Sequence, residues 1–195
     1  MSYSIIRIQK FSSSDVKGIE IHDLRKKDGI SHTNKDIDWN RTALNYDLHA
    51  EQNINYQKTV KDKISALNLP KAVRKDAVVM AQALVTSDND FFVDKSDMEI
   101  QEFFQLSYGF IRSKFGGKNI VSATVHMDER TPHMHVNFVP VTPDGRLSAK
   151  SLFTPASLRQ LQDSFHNEVG KFYYLFLLAF CANDMRDKLL FHKQN

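Results

Sequence analysis

Cysteine is nearly absent from this chain. One residue, Cys181, stands among 195, which excludes a disulfide framework and a cysteine-rich zinc site. No apolar run reaches the length a bilayer demands; FYYLFLLAF at 172–180, with Cys181 and Ala182 after it, makes eleven residues. The N-terminus, MSYSIIRIQKF, lacks a basic flank followed by a long apolar core, so a cytoplasmic protein without a secretory signal is expected. Net charge is small, +3 from 26 Lys and Arg against 23 Asp and Glu. That permits nucleic-acid binding without requiring it. No repeat or low-complexity tract is present. What remains, 42% apolar and 25% charged residues, suits a globular domain with a real core.

Periodicity divides the chain into elements. Residues 3–11 alternate as a strand with a partly basic face. Residues 12–53 are polar and irregular, a stretch uncommon in a compact domain unless functional or disordered. A short helix is expected over 55–68, ended by Pro70, and a buried strand over 76–87. Ser96 and Glu99 form a capping-box signature for a helix over 97–115, which Gly116 and Gly117 end. Residues 119–127 and 133–141 alternate on either side of DERTP, a β-hairpin, and TPDG at 142–145 is a turn. Thr154 and Pro155 open a further helix. Strands interleaved with helices predict an α+β domain, an antiparallel sheet with helices on it.

The hairpin carries chemistry. Its sequence, VHMDERTPHMHVNFVP at 125–140, holds His126, His133 and His135, three of the eight histidines. Positions two apart on a strand face the same way, so His133 and His135 share a face above Asn137, while Met134 points into the other layer. His126 shares its face with Thr124 and Ser122 and can meet the pair across the turn. Three imidazoles with open positions form a catalytic type of metal site, with Glu129 or Asp128 completing or orienting the shell. Spacing does not choose among zinc, manganese, iron, cobalt and nickel.

The hairpin resembles the metal motif of the plasmid mobilisation and recombination relaxases of the Mob/Pre (MOBV) type, and His133–Met134–His135 the signature of the wider HUH endonuclease class. Further pieces resemble the family in the same order: MSYSIIRIQKF, HTNKDIDWNRTALNYDL at 32–48, RKDAV at 74–78 and LSAKSLF at 147–153. The resemblance covers roughly residues 1–171 and implies an antiparallel sheet flanked by helices, with the paired histidines on a central strand. It also implies an enzyme that nicks one strand of plasmid DNA, single-stranded or hairpin, at the origin of transfer, for mobilisation or recombination, and stays joined to the 5′ phosphate.

By that resemblance His126, His133 and His135 hold the metal, Mn2+ or Mg2+, and His22 is the nucleophile, giving a phosphoramidate. Neutral imidazole is a competent nucleophile near neutral pH. Glu129 is the candidate proton acceptor or tautomer anchor, and Arg25 the residue that stabilises phosphate charge. Tyr46 is kept as a stacking contact to DNA. Arg7, Lys10, Lys35, Arg41, Arg74, Lys75 and Lys150 are candidate phosphate contacts. The family pattern stops near residues 170–171, so 1–171 reads as the relaxase unit and 172–195 as an atypical tail of a truncated or frameshifted chain. Family members continue into a region for dimerisation. Two alternatives stand: a non-catalytic origin-binding protein derived from such a relaxase, and an unrelated zinc hydrolase built on the same histidines.

Overall fold

Three strands, each with an apolar face and a polar one, β3 (Val78–Thr86), β4 (Ile120–His126) and β5 (His133–Phe138), form the centre of the sheet. The computed structural model describes residues 4–26, 34–49, 54–171 and 173. Strand order is β1-β3-β5-β4-β2, with β1 at Ile5–Ser12 and β2 at Tyr46–Asp47, and every neighbouring pair is antiparallel. The paired histidines therefore lie on the middle strand, as expected. The β4–β5 register places His126 opposite His133, Thr124 opposite His135 and Ser122 beside Asn137.

Alternation sorts the two faces. Ala81, Ala83, Val85, Ala123, Val125, Met134, Val136 and Phe138 form one, buried under Phe103, Phe104 and Ile111 of α4 (Asp97–Phe115) and Phe165 of α6 (Pro155–Phe165). The side chain of Phe104 is fully buried, its ring 5.2 Å from that of Phe103. Phe104→Ala should cost about 3–5 kcal/mol through lost burial and the cavity left behind. It should appear as a lower urea midpoint at unchanged slope.

The opposite face carries Gln82, Ser122, Thr124, His126, His133, His135 and Asn137. Polar groups on a sheet face need partners, and Asn137 supplies them: its Nδ2 donates to Ser122 Oγ at 2.9 Å and to Asp23 Oδ2 at 2.6 Å, and its Oδ1 accepts from Gln82 Nε2 at 3.0 Å. A smaller apolar cluster, with Val16, Tyr56, Val60, Met80 and Val121, seats α1 (Val16–Asp23) and α2 (Tyr56–Ser65) over one end of this face.

Local signals account for several helix ends. The Ser96–Glu99 capping box opens α4, and Gly116 at φ 81° follows its last turn. Thr154 caps α6 with Pro155 next. Asn55 caps α2 by accepting from Lys58 N. The expected strand over 133–141 ends at Phe138; the chain continues through Pro140 to a bridge between Val141 and Leu147 that closes the TPDG turn at Gly145, φ 83°. Sequence reading missed α3 (Asn89–Val93), α5 (Ala149–Leu152) and, above all, α1, which lies in the stretch read as irregular. Apart from Tyr173, the segment 172–195 lies outside the described residues. No described helix is long and apolar enough to cross a membrane.

Candidate metal centre

Helix α1 brings residues 22–25 against the hairpin. Its interior Gly18 and eight-residue length give little intrinsic stability; tertiary contacts hold it. Val16 and Ile21 are buried, and Glu20 accepts from Tyr56 N at 2.7 Å and from Lys26 Nζ at 2.6 Å. The result places the His22 ring 5.3 Å from the rings of both His126 and His135. Those two rings are 5.0 Å apart, and the His133 ring lies 5.2 Å from His126 and 4.9 Å from His135.

Backbone carbonyls set the imidazole tautomers. A carbonyl can only accept, so His126 Nε2, 2.9 Å from Asp23 O, carries a proton, as does His133 Nδ1, 2.9 Å from Thr131 O. In the neutral rings His126 Nδ1 and His133 Nε2 are then both lone-pair nitrogens, and they face each other at 3.3 Å. Two lone pairs so placed call for a shared cation. His135 makes the same demand: it is 8% exposed, and both its ring nitrogens are buried without a hydrogen-bond partner. Glu129 Oε1 lies 3.8 Å from both His126 Nδ1 and His133 Nε2. The donor set fits a divalent metal, and its atoms fall into two overlapping groups, His126–Glu129–His133 and His22–His126–His135, each with all members within 4.8 Å.

Protonation states favour that use. Burial, the largest cause, pushes His126 down to about 3, and the charges of Arg25, His133 and His22 add to it. Burial also holds His135 well below the usual imidazole range. Both are neutral, metal-competent ligands at pH 7. Burial pushes the Asp23 carboxyl up to about 7 against the opposing Asn137 hydrogen bond and Arg25 charge. A carboxyl whose folded-state value is raised contributes stability at low pH and loses it as pH climbs from about 4 to 7. Asp23→Asn should therefore gain on the wild type across that window by on the order of a few kcal/mol. Paired urea titrations at pH 5 and pH 8 measure it, and an unchanged difference would refute it.

Arg25 ties helix to hairpin. Nε donates to Asp128 Oδ2 at 2.9 Å, Nη2 to Asp128 Oδ1 and Glu129 Oε1 at 2.7 Å each, and Nη1 to His22 O at 3.0 Å, with His22 Nδ1 3.5 Å away. Arg25 sits at φ 50°, a region rare for residues with a Cβ and kept only where surroundings over-determine it. Sequence reading had Arg25 facing a phosphate; instead its guanidinium is buried and committed to carboxylates and to α1. Burial would raise the Asp128 carboxyl, but Arg25 and Thr42 hold it well below the usual range. Glu129 behaves likewise: burial is outweighed by His133, Arg25 and Asn34.

A second set of partners was not legible in the sequence. Asn34 Nδ2 donates to Glu129 Oε2 at 2.9 Å, Thr42 Oγ1 to Asp128 Oδ2 at 3.0 Å, Asp38 N to Asp128 O at 2.7 Å and Met127 N to Asn45 Oδ1 at 2.7 Å. These stitch residues 34–45 to the histidine hairpin. An open cleft of about 470 Å³ bounded by His22, Leu84, Glu129, Thr131, His133 and His135 leads to the site.

The remaining candidates divide by position. Arg7 is exposed on the histidine face, in the register line Arg7–Leu84–His135. Lys35 and Arg41 are exposed within the 34–45 segment. Lys10 is on the other face, its Nζ 3.4 Å from Phe153 O and 5.8 Å from that ring's centre. Tyr46 pairs with Val125, so it also faces the α4 layer; its hydroxyl is buried without a partner and burial pushes it up to about 12. Arg74 and Lys75 precede β3 and Lys150 lies on α5, all exposed and at the ends of β3 and β5 away from the histidines.

Comparison with known proteins agrees with this architecture. A family model described as plasmid recombination enzyme matches residues 1–174. The chain is 43% identical over 172 residues to plasmid recombination enzyme type 2 of Staphylococcus aureus, and 41% identical over 172 residues to a plasmid recombination enzyme of a Bacillus species. It is covered to 88% in both alignments and spans 40% and 41% of those relatives' lengths. Among solved structures, the MobM relaxase domain bound to plasmid pMV158 oriT DNA, Mn-bound at pH 6.8, superposes with a TM-score of 0.80 at 33% identity, covering 87% of this chain and 86% of that one.

Proposed function

Because the chain belongs to the plasmid recombination enzyme family, we propose that it is a metal-dependent relaxase, with residues 1–171 as the origin-binding and nicking unit. Its substrate is plasmid DNA, single-stranded or in a hairpin at an origin of transfer, and its compartment the cytoplasm. The observation that carries this reading is the convergence of His22 on His126 and His135 at 5.3 Å, across about one hundred residues of sequence.

His126, His133 and His135 would hold the cation, Mn2+ by analogy with the related DNA complexes or Mg2+, and Glu129 stands close behind two of them. When bound, that ion supplies Lewis-acid polarisation of the scissile phosphate. The chain's own residues do the rest. A ring nitrogen of His22 attacks phosphorus; the P–N bond forms and the bond to the 3′ oxygen breaks. The ring proton is lost and the departing 3′ oxygen gains one. Glu129, whose carboxyl stays ionised at neutral pH, is the acceptor within the cluster. Arg25 positions His22 through its backbone carbonyl. Asp23 and Thr131 orient the ligand rings. Arg7, paired with the cleft-lining Leu84, and Lys35, next to the cleft-lining Asp36, would meet phosphates near the cleft, and Arg41, Lys10, Tyr46, Arg74, Lys75 and Lys150 would contact DNA elsewhere along the strand.

The test is incubation with supercoiled plasmid bearing a cognate origin, with Mn2+ and with Mn2+ plus EDTA. Relaxed plasmid joined to protein is expected only without chelator. A folded protein that shifts origin DNA in a gel and never nicks it would leave an origin-binding protein instead.

A further inference from the structure

The two overlapping donor groups differ in one respect: one of them contains the nucleophile. The nitrogens of His22, His126 and His135 lie within 4.8 Å of one another, as closely as those of the His126–Glu129–His133 set. The 5.3 Å ring separations of His22 are little longer than the 4.9–5.2 Å among the three hairpin histidines. The four imidazoles thus fall into two donor groups that share His126. Metal–nitrogen bonds of 2.0–2.1 Å at tetrahedral angles place ligand nitrogens about 3.3 Å apart, the separation already present between His126 Nδ1 and His133 Nε2. His135, with both nitrogens buried and unpartnered, can face either group.

We propose that in the DNA-free protein a tetrahedral, nitrogen-preferring cation, Zn2+ above all, recruits His22 as a further ligand and so masks the nucleophile. This rests on the metal-site reading above. Zinc favours four-coordinate imidazole shells and exceeds manganese in affinity for nitrogen sites. Manganese favours six-coordinate, oxygen-rich shells; three imidazoles leave it open positions for phosphate oxygens, and His22 stays outside its shell. The same cluster is then productive with one metal and closed by the other.

Two measurements on the metal-loaded protein without DNA decide it. The first uses the wild type alone: diethyl pyrocarbonate labelling with peptide mass spectrometry. Saturating Zn2+ should protect His22, and saturating Mn2+ should leave it reactive. The second uses titration calorimetry and Co2+ absorption with His22→Ala and His22→Gln. Zn2+ affinity should fall by at least about tenfold, Mn2+ affinity should hold, and the intense tetrahedral Co2+ band should weaken. Equal His22 labelling with both metals, or Zn2+ and Mn2+ affinities that shift together or not at all, would overturn the proposal while leaving the metal site standing. Failure of the wild type to bind any of the three metals would overturn both.

Discussion

His22→Ala should eliminate the proposed covalent protein–DNA adduct and lower nicking of an origin-bearing plasmid by at least about 10⁴-fold, the scale on which removal of a catalytic nucleophile acts. Denaturing electrophoresis of labelled oligonucleotide detects the adduct, and plasmid relaxation gives the rate. The expectation follows from position: His22 lines the cleft and lies against two of the proposed ligands. Tyr46→Phe is the companion variant. The Tyr46 hydroxyl is buried in the α4 layer and held protonated to about 12, so the adduct should persist. An adduct that survives in His22→Ala and vanishes in Tyr46→Phe would reverse the assignment. A phosphoramidate would also have its own signature, since a P–N bond to histidine hydrolyses in acid where a phosphotyrosine does not.

Asp128→Ala should be the most destabilising change at the site. Asp128 is fully buried, and the Arg25 side chain that it pairs with is 3% exposed. The alanine variant leaves Arg25 with Glu129 as its one remaining carboxylate and Thr42 without its acceptor. Breaking a buried ion pair from one side costs about 3–5 kcal/mol because the surviving charge stays desolvated. That is a large part of the 5–15 kcal/mol typical of a domain. Asp128→Asn keeps the shape and one acceptor oxygen and should lose less. Urea midpoints rank the three proteins. Midpoints of wild type and Asp128→Ala that coincide would mean that the pair contributes nothing net. Where the alanine variant is still folded, nicking should fall further than DNA binding, because Arg25 no longer pins His22.

The histidine hairpin was legible because its signals are local. Strand alternation places His133 and His135 on one face whatever surrounds them, and a short turn brings His126 alongside. Capping boxes and Thr154–Pro155 are equally local, and α4 and α6 begin where those residues predict. Helix α1 carried no such signal. Its sequence, VKGIEIHD, has an interior glycine and no side-chain hydrogen bond from its N-cap, and it is helical because Val16 packs with residues of α2 and the sheet, Glu20 accepts from Tyr56 N and Ile21 is buried. Arg25 is instructive for the opposite reason. A basic residue one turn from a nucleophile suggests a phosphate contact, and only the hairpin's two carboxylates, 103 and 104 residues away, turn it inward.

Residue order alone settled the fold class, the three imidazoles on one face of a hairpin and, through resemblance, the family. Strand order and register decided which candidates share a site. Arg7 joins the histidine face and Lys10 leaves it because β1 pairs with β3 in one register, and a slip of one residue would exchange them. Tyr46 is removed from the cleft by its pairing with Val125. His22 reaches the proposed metal ligands through burial of α1 against α2 and the sheet. Periodicity is a property of neighbouring residues and is written in the chain; proximity between residues 22 and 126 is a property of the packed core and exists only once that core has formed.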